Sequence, residues 1–271
     1  MSDRRIRLAV LGDPLSYTLS PQLHRAGLEA LGWECDSRPL RTPAESLGER
    51  LHELADSGCR GANLTTPLKE AILGLLGRVS AAGLLARSVN TVGFDPDGWW
   101  GETTDGAGFL DLLASLGRRP ERERCLLLGA GGAARSLALA LREAGCDEIK
   151  VSARRPGAAE AWQEVRGITW VSWGSEAERE SLARATLVVQ ATPLEREEEL
   201  ATVDHASRRL LLIDLRYGRE LTPWVRRARF LGREAYDGLG LLVFQARRSL
   251  SLWTGRAVPV DPLARAVGWP R

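Results

Sequence analysis

Short apolar runs alternate along the chain with segments in which apolar residues recur at helical spacing. Residues 6–12, IRLAVLG, form an apolar run that predicts a buried strand. The next segment, SPQLHRAGLEALG, predicts a helix with Ser20 as its N-cap and Pro21 in its first turn. Because strand-like and helical segments keep alternating to about Asn90, the pattern predicts an α/β fold.

Two further segments extend this first region. Residues 88–117, SVNTVGFDPDGWWGETTDGAGFLDLLASLG, predict two short strands around an Asp-Pro-Asp-Gly turn and then a helix. After Tyr236, the segment GLLVFQARRSLSLWTG predicts another helix. We expect this helix to dock on the first region, so that the N-terminal domain is discontinuous in sequence.

The pattern changes at Cys125, where short apolar runs alternate with helical segments. The runs are CLLL, EIKV, ITWV, TLVVQAT and LLLIDL, which are typical of buried parallel strands. They predict a doubly wound, Rossmann-like domain. We therefore expect two domains, one of residues 1–104 with 238–271 and one of residues 105–237.

A glycine-containing turn follows the first of these parallel strands. Gly129, Gly131 and Ala134 fill a G-x-G-x-x-A frame directly before a helical segment. The glycines allow a tight turn and a close approach of a pyrophosphate, and the helix N-terminus offers free N–H groups. The frame predicts a dinucleotide site with backbone contacts from five residues: Gly129, Ala130, Gly131, Gly132 and Ala133.

The end of the second parallel strand indicates which dinucleotide is bound. An Asp or Glu about 20 residues after the glycines holds the ribose 2′-hydroxyl of NAD. Here the segment is Ser152-Ala153-Arg154-Arg155, which has no acid and suits a 2′-phosphate. Arg154 and Arg155 would otherwise be ordinary surface charges. Placed after a dinucleotide turn, they predict NADP as the cofactor.

Composition narrows the class of protein. The 271 residues are 44% hydrophobic and 27% charged, as in globular chains long enough for two cores. A net charge of +2 predicts neither a nucleic-acid partner nor an acidic membrane surface. The first residues, MSDRRIRLAVLG, contain no long apolar stretch, so we expect no signal peptide, no membrane span and a cytoplasmic location.

The cysteines and histidines do not predict a metal site. The four cysteines form no C-x-x-C pair and no zinc pattern, and Cys125 in an apolar strand is expected to be a core residue. The three histidines are scattered along the chain. We therefore expect no bound metal.

Two charged residues are candidates for proton transfer. Lys69 follows the segment NLTTPL, and Asp105 follows a Thr-Thr pair. A Lys and an Asp that meet across a cleft can orient each other and share a proton beside a nicotinamide. The alternative is structural, with Lys69 on a helix surface and Asp105 as a helix N-cap. The two roles of Asp105 are compatible.

Nine short motifs along nearly the whole chain resemble the shikimate dehydrogenase family, of which the chain is identified as a divergent member. They occur in the order and at the spacing of the family. The motifs are GDPLSYTLSPQLH, NLTTPLKE, SVNTV, GETTDGAGF, LLLGAGGAARS, SARR, VVQATP, DLRYGRELT and DGLGLLVFQARRSLSLWTG.

The resemblance implies an activity and a set of roles. It implies reversible reduction of 3-dehydroshikimate by NADPH in a cleft between the domains, with Lys69 and Asp105 as the catalytic pair. It implies that Thr18 and Ser20, helped by Tyr217, hold the substrate carboxylate. Further substrate contacts are implied for Asn63, Thr65, Asn90, Thr104 and Gln245, and further cofactor contacts for Thr192, Gly238 and Leu241.

Several positions depart from the family pattern, mostly on the cofactor side. The replaced residues are Thr18 for Ser, Thr103 for Asn, Ala153 for Asn, Arg155 for Thr, Leu241 for Met, and Gln190 and Pro193 in an N-A-T-S segment. Thr18 and Thr103 keep open a related dehydrogenase acting on quinate or an amino-substituted shikimate. The altered cofactor motifs keep open a non-catalytic NADP-binding homologue. The expected assembly is a monomer or a homodimer.

Overall fold

The computed structural model describes residues 5–15, 17–154, 158–162, 165–192, 203–204 and 206–271. The chain forms two compact units. One comprises Met1–Gly108 with Leu242–Trp269, and the other comprises Phe109–Leu241 with Pro270–Arg271. No helix in the described ranges is both long and apolar enough to cross a lipid bilayer.

The elements follow in chain order. The first part contains β1 (Arg5–Gly12), α1 (Ser20–Glu29), β2 (Glu34–Arg41), α2 (Leu47–Asp56), β3 (Gly61–Leu64), α3 (Leu68–Ala71), β4 (Arg78–Val79), α4 (Ala81–Ala86), β5 (Thr91–Asp95), β6 (Gly98–Glu102) and α5 (Asp105–Ser115). The later part contains β7 (Arg124–Leu128), α6 (Gly132–Glu143), β8 (Glu148–Ala153), β9 (Thr169–Ser172), α7 (Glu176–Arg184), β10 (Leu187–Gln190), β11 (Leu211–Asp214), α8 (Pro223–Phe230), β12 (Glu234–Tyr236), α9 (Leu239–Thr254) and α10 (Val260–Val267).

The first unit contains a mixed sheet with the strand order β2-β1-β3-β5-β6-β4 among the described residues. Successive residues of a strand point to opposite faces, and both faces of this sheet are covered. Leu8 packs with α1, α9 and α10, whereas its neighbour Ala9 packs with α2. The predicted hairpin of β5 and β6 around the Asp-Pro-Asp-Gly turn is confirmed.

Helix α1 begins one residue earlier than the sequence predicts. Ser20 is its first helical residue and Leu19 occupies the N-cap position without a side-chain cap, so Ser20 as N-cap was wrong. Thr18 supplies an acceptor instead, because the Ser20 N–H donates to Thr18 Oγ1 at 3.2 Å. The predicted Pro in the first turn is confirmed.

The second unit contains a parallel sheet with the order β9-β8-β7-β10-β11-β12 among the described residues. The doubly wound sheet predicted from the apolar runs is therefore confirmed, with the short β12 as an addition. From β7 the strand order proceeds to one side of the sheet through β8 and β9, and from β10 it proceeds to the other side. Ligands of such sheets bind at the carboxyl ends of the strands at this reversal of the strand order, where the glycine turn follows β7.

Candidate active site

The topology of the first sheet collects polar residues at one edge. Strand β3 ends at Leu64, and the antiparallel β5 begins beside it, with Asn63 opposite Thr91. Strand β6 runs antiparallel to β5, with Glu102 opposite Thr91, so β6 ends at the same edge. The residues just outside these strand ends therefore meet although they are far apart in sequence.

Lys69 and Asp105 form an ion pair at this edge. Lys69 Nζ lies 2.5 Å from Asp105 Oδ2, and the side chains are 21% and 5% exposed. Lys69 is in the short helix α3, and Asp105 is in the first turn of α5, where a negative charge complements the helix dipole. Asp105 therefore serves both the helix and the pair, while the Lys69 side chain stays partly exposed.

Asn90 connects the pair to its surroundings. Its Nδ2 lies 2.8 Å from Asp105 Oδ1, 3.0 Å from Thr104 Oγ1 and 3.1 Å from Gln245 Oε1. Its Oδ1 accepts the Thr104 N–H at 2.8 Å. Both carboxylate oxygens of Asp105 are thus held by donors, one from Lys69 and one from Asn90. This fixes the direction in which the ammonium points.

Helix α9 adds Gln245 and a residue that the sequence analysis missed, Ser249. Ser249 Oγ lies 2.7 Å from Thr91 Oγ1 and 3.3 Å from Thr104 Oγ1. Ser249 lies four residues after Gln245, so both side chains lie on one face of the helix. This spacing was the sequence signal that could have identified Ser249. Gly108 of α5 permits the approach of α9, because a Cβ there would lie 2.7 Å from the Gln245 backbone nitrogen.

Asn63 is committed to the protein interior rather than open to a ligand. It is 5% exposed, and its Nδ2 lies 3.0 Å from the Asn90 carbonyl oxygen and 3.0 Å from Ser249 Oγ. Since a carbonyl oxygen can only accept, Nδ2 must face it, and Oδ1 faces His24 Nε2 at 2.8 Å. A substrate contact of Asn63, implied by the resemblance, stays a prediction. The observed contacts give Asn63 a positioning role.

His24 is a buried neutral histidine beneath this network. Its Nε2 donates to Asn63, so its Nδ1 accepts from the Ser37 hydroxyl at 2.8 Å, and its ring packs edge-on against Trp253. Burial lowers the pKa of His24 from 6.5 to about 4, only partly opposed by the hydrogen bond with Asn63. The unfolded chain therefore binds a proton at pH 5 that the folded chain does not.

This difference predicts an acid-sensitive stability. The His24 contribution is complete above pH 6.5 and is lost as the pH falls toward the folded pKa of about 4. Between pH 7 and pH 5 we expect it to lower the free energy of unfolding by about 2 kcal/mol. The measurement is chemical denaturation at a series of pH values for the wild type and His24→Gln.

The matched control is His52→Gln, because His52 is exposed on α2. In His52→Gln the free energy of unfolding should depend on pH as in the wild type. In His24→Gln it should be lower overall but change less between pH 7 and pH 5. Parallel curves for all three proteins would contradict the assignment of this acid sensitivity to His24.

The other predicted substrate residues are distributed over both units. Thr18 and Thr65 are half-buried, and Ser20 is 5% exposed, all in loops or helix starts of the first unit. Thr65 follows β3, and its N–H donates to the Leu11 carbonyl at 2.9 Å, which ties it to the end of β1. Tyr217 is half-buried in the loop after β11, in the second unit. Their contacts with a substrate stay predictions.

The glycine turn of the second unit has the geometry that a pyrophosphate needs. Gly129 has a φ of +115°, and Gly131 is the N-cap of α6, with nothing within 4 Å of the position that a Cβ would take. Residues 130–133 are partly exposed, while Ala134 is buried. The Trp162 ring N–H donates to the Ala130 carbonyl at 3.2 Å and braces the turn. The residues present therefore fit a dinucleotide.

Two residues predicted to bind the 2′-phosphate lie at the end of β8, and they differ in exposure. Arg154 is exposed, with its guanidinium carbon 5.9 Å from the ring centroid of Trp173. Ser152 is fully buried and its hydroxyl donates to the buried Glu178 carboxylate. A contact of Ser152 with a 2′-phosphate would require that bond to break. Arg155 lies outside the described residues, as does Pro193.

Three further predicted cofactor residues lie in the second unit. Thr192 follows β10, and its methyl group lies 3.0 Å from where a Cβ of Gly129 would be. It therefore lies at the reversal point of the sheet. Gly238 packs on the Leu215 carbonyl, and Leu241 on α9 is 8% exposed. Their cofactor contacts stay predictions.

The thiols are unsuited to nucleophilic chemistry. All four cysteines are free, and Cys125 is buried in β7 as predicted. Burial raises the pKa of Cys35 and of Cys146 to about 11 and raises the pKa of Cys125 well above its usual range. The thiolate is therefore disfavoured at neutral pH. The described residues contain no cluster of three or more His, Cys, Asp or Glu side chains suited to a metal ion.

A Rossmann-type sheet with an open glycine turn, joined in one chain to a lysine–carboxylate pair among neutral polar groups, defines a dinucleotide-dependent oxidoreductase. The family comparison agrees. Residues 10–92 match the profile described as "Shikimate dehydrogenase substrate binding domain", and residues 238–267 match "Shikimate 5'-dehydrogenase C-terminal domain".

Individual relatives match over nearly the full chain. A shikimate dehydrogenase (NADP(+)) from Synechococcus sp. is 36% identical over 97% of this chain and 95% of its own. One from Xanthomonas euvesicatoria is 37% identical over 96% and 95%. The crystal structure of the Thermus thermophilus enzyme with NADP(H) and shikimate has a TM-score of 0.86 and 36% identity, covering 97% and 98%. The chain belongs to the shikimate dehydrogenase family.

Proposed function

We propose that this protein catalyses the reversible reduction of 3-dehydroshikimate to shikimate with NADPH. The observation that carries the proposal is the Lys69–Asp105 pair at 2.5 Å, held by Asn90 in a chain of this family. The test is shikimate oxidation with NADP and NAD in parallel. Quinate serves as a third arm because Thr18 stands where the family has Ser. A higher kcat/KM for quinate than for shikimate would reassign the substrate.

Bound NADPH supplies the hydride that adds to the ring carbonyl carbon. Lys69 gives the proton that the resulting alkoxide oxygen needs, and in the reverse direction its amine accepts that proton. Asp105 compensates the ammonium and holds its direction, while Asn90 prevents the carboxylate from rotating. The Lys69 side chain is 21% exposed, so Lys69 can recover its proton from solvent.

The polar surroundings suit a substrate with several ring hydroxyls. Thr104 and Gln245 are neutral groups that both donate and accept, and they already belong to the network of Asn90. Thr18, Ser20 and Tyr217 are proposed to hold the carboxylate and Thr65 a ring hydroxyl. A site of this kind rejects analogues that leave its polar groups unpaired.

NADP is proposed to bind at the glycine turn of the second unit. Residues 129–133 would face the pyrophosphate, and Arg154 with Arg155 would face the 2′-phosphate, with Thr192 on the nicotinamide side. The absence of an acid among residues 152–155 supports NADP over NAD. We further propose a cytoplasmic enzyme that acts as a monomer or homodimer without nucleic-acid or membrane partners.

Arg154 should determine the cofactor preference. Arg154→Gln removes a charge-assisted contact with the 2′-phosphate, and we expect KM for NADP to rise about tenfold while KM for NAD stays the same. Steady-state kinetics with both cofactors measure this. Arg179→Gln, the same change at an exposed position of α7, is the control. Equal effects of Arg154→Gln on both cofactors would remove the 2′-phosphate assignment.

A further inference from the structure

A cavity in the second unit is lined by arginines that the proposed reaction does not use. Its volume is about 630 Å³, within the range of small-molecule sites. Its lining includes five arginines and two glutamates, Glu123 and Glu234. Five guanidinium groups therefore face two carboxylates.

One of these arginines forms ion pairs with both carboxylates. Arg118 binds Glu123 through two hydrogen bonds of 2.8 and 2.9 Å, and its other terminal nitrogen lies 3.7 Å from Glu234. Glu123 is 3% exposed and also accepts from the Thr186 hydroxyl at 2.5 Å. These hydrogen bonds hold Arg118 and Glu123 in place in the cavity lining.

The remaining four arginines have no such compensation. They are exposed, and their guanidinium groups form no ion pair or hydrogen bond with the described part of the chain. They come from two loops, one before β7 and one before β11. The four are Arg119, Arg122, Arg208 and Arg209. Like charges that converge on one cavity repel each other, and a bound anion relieves that repulsion. The guanidinium fork matches phosphate oxygens.

The position separates this cavity from the glycine turn. Arg122 and Glu123 directly precede β7, Leu210 directly precedes β11 and Glu234 begins β12, so the cavity lies at the amino ends of the parallel strands. The glycine turn follows the carboxyl end of β7. The two places are thus at opposite edges of the sheet, about 15 Å apart along a five-residue strand.

We infer that this cavity is a binding site for a small anion that carries two or more phosphate groups. Four free guanidinium groups from two loops offer more donors than the oxygens of a single phosphate can engage, whereas a pyrophosphate offers a larger set of acceptor oxygens. The ligand could be inorganic pyrophosphate or the phosphate chain of a nucleotide, since both offer the same oxygens.

Isothermal titration calorimetry of the protein with inorganic pyrophosphate tests the site. Because it needs no bound cofactor and no turnover, its outcome is independent of the proposed function. We expect the double variant Arg208→Gln/Arg209→Gln to raise the Kd at least about tenfold. Arg226→Gln/Arg179→Gln removes the same charge at exposed positions elsewhere in this unit and should leave the Kd within about twofold. Thermal unfolding of both variants confirms that they are folded.

Further arms distinguish the source and the place of binding. Orthophosphate should bind at least about tenfold more weakly than pyrophosphate. Equal affinities for ATP and CTP indicate recognition of the phosphate chain alone, and a preference for one indicates a nucleotide. A Kd for pyrophosphate that Arg208→Gln/Arg209→Gln leaves unchanged would overturn the inference, because the anion would then bind elsewhere, for example at the glycine turn. So would equal weakening in the control variant, or tighter binding of a single-stranded oligonucleotide.

Discussion

Lys69→Ala is expected to lower kcat by about two orders of magnitude or more, the range for a lost general acid or base. KM for the substrate should change much less, because the neutral groups around Asn90 remain in place. Steady-state kinetics in both directions measure this. Normal turnover in this variant would remove Lys69 from the chemistry.

Lys69→Arg separates proton transfer from charge. Arginine keeps the positive charge beside Asp105 but does not give up its proton in proteins, so kcat should stay close to that of Lys69→Ala. The chain contains two lysines, Lys69 and Lys150, and every other residue in its Lys and Arg total is an arginine. Lys150→Arg, in β8 beside Glu148, is therefore the matched control and should keep its activity. Full activity of Lys69→Arg would indicate a purely electrostatic role.

Asp105→Asn is the second change with a large expected effect. Asp105 accepts from Lys69 on one oxygen and from Asn90 on the other. An amide offers a single acceptor oxygen, so its NH₂ group must face one of these donors and the ammonium loses its fixed direction. We expect kcat to fall about a hundredfold, with a smaller change in KM.

The control for this variant is Asp97→Asn, the same substitution at an exposed turn between β5 and β6. Thermal unfolding distinguishes loss of catalysis from loss of the fold, because Asp105 is 4% exposed. A folded Asp105→Asn protein with wild-type kcat would show that the carboxylate does not direct the ammonium.

Local patterns predicted the architecture of the second unit. Its central strands β7, β10 and β11 are short, apolar and almost fully buried, so the runs CLLL, TLVVQAT and LLLIDL are recognisable alone. The turn at Gly129 follows the same logic, since its φ of +115° suits glycine. Strand β12 was not predicted, because three residues with one buried position carry too little periodicity.

The site required information that local patterns do not contain. Lys69 and Asp105 are 36 residues apart, and their contact depends on the pairing of β3, β5 and β6. The residue types alone left a structural role open for both, and the motif resemblance decided in favour of the pair. The buried roles of Asn63 and Ser152 were not visible either, because a polar residue at a strand end can face solvent or the interior. Burial and hydrogen bonding decide between these roles, and both depend on the folded chain.

The most direct measurement mixes the purified protein with 3-dehydroshikimate and NADPH and follows NADPH loss together with product formation. The account predicts one shikimate for each NADPH consumed, faster than with NADH, and a rate at least about a hundredfold lower in Lys69→Ala. A folded protein that binds NADPH but forms no shikimate, or that forms it equally well without Lys69, would contradict the account.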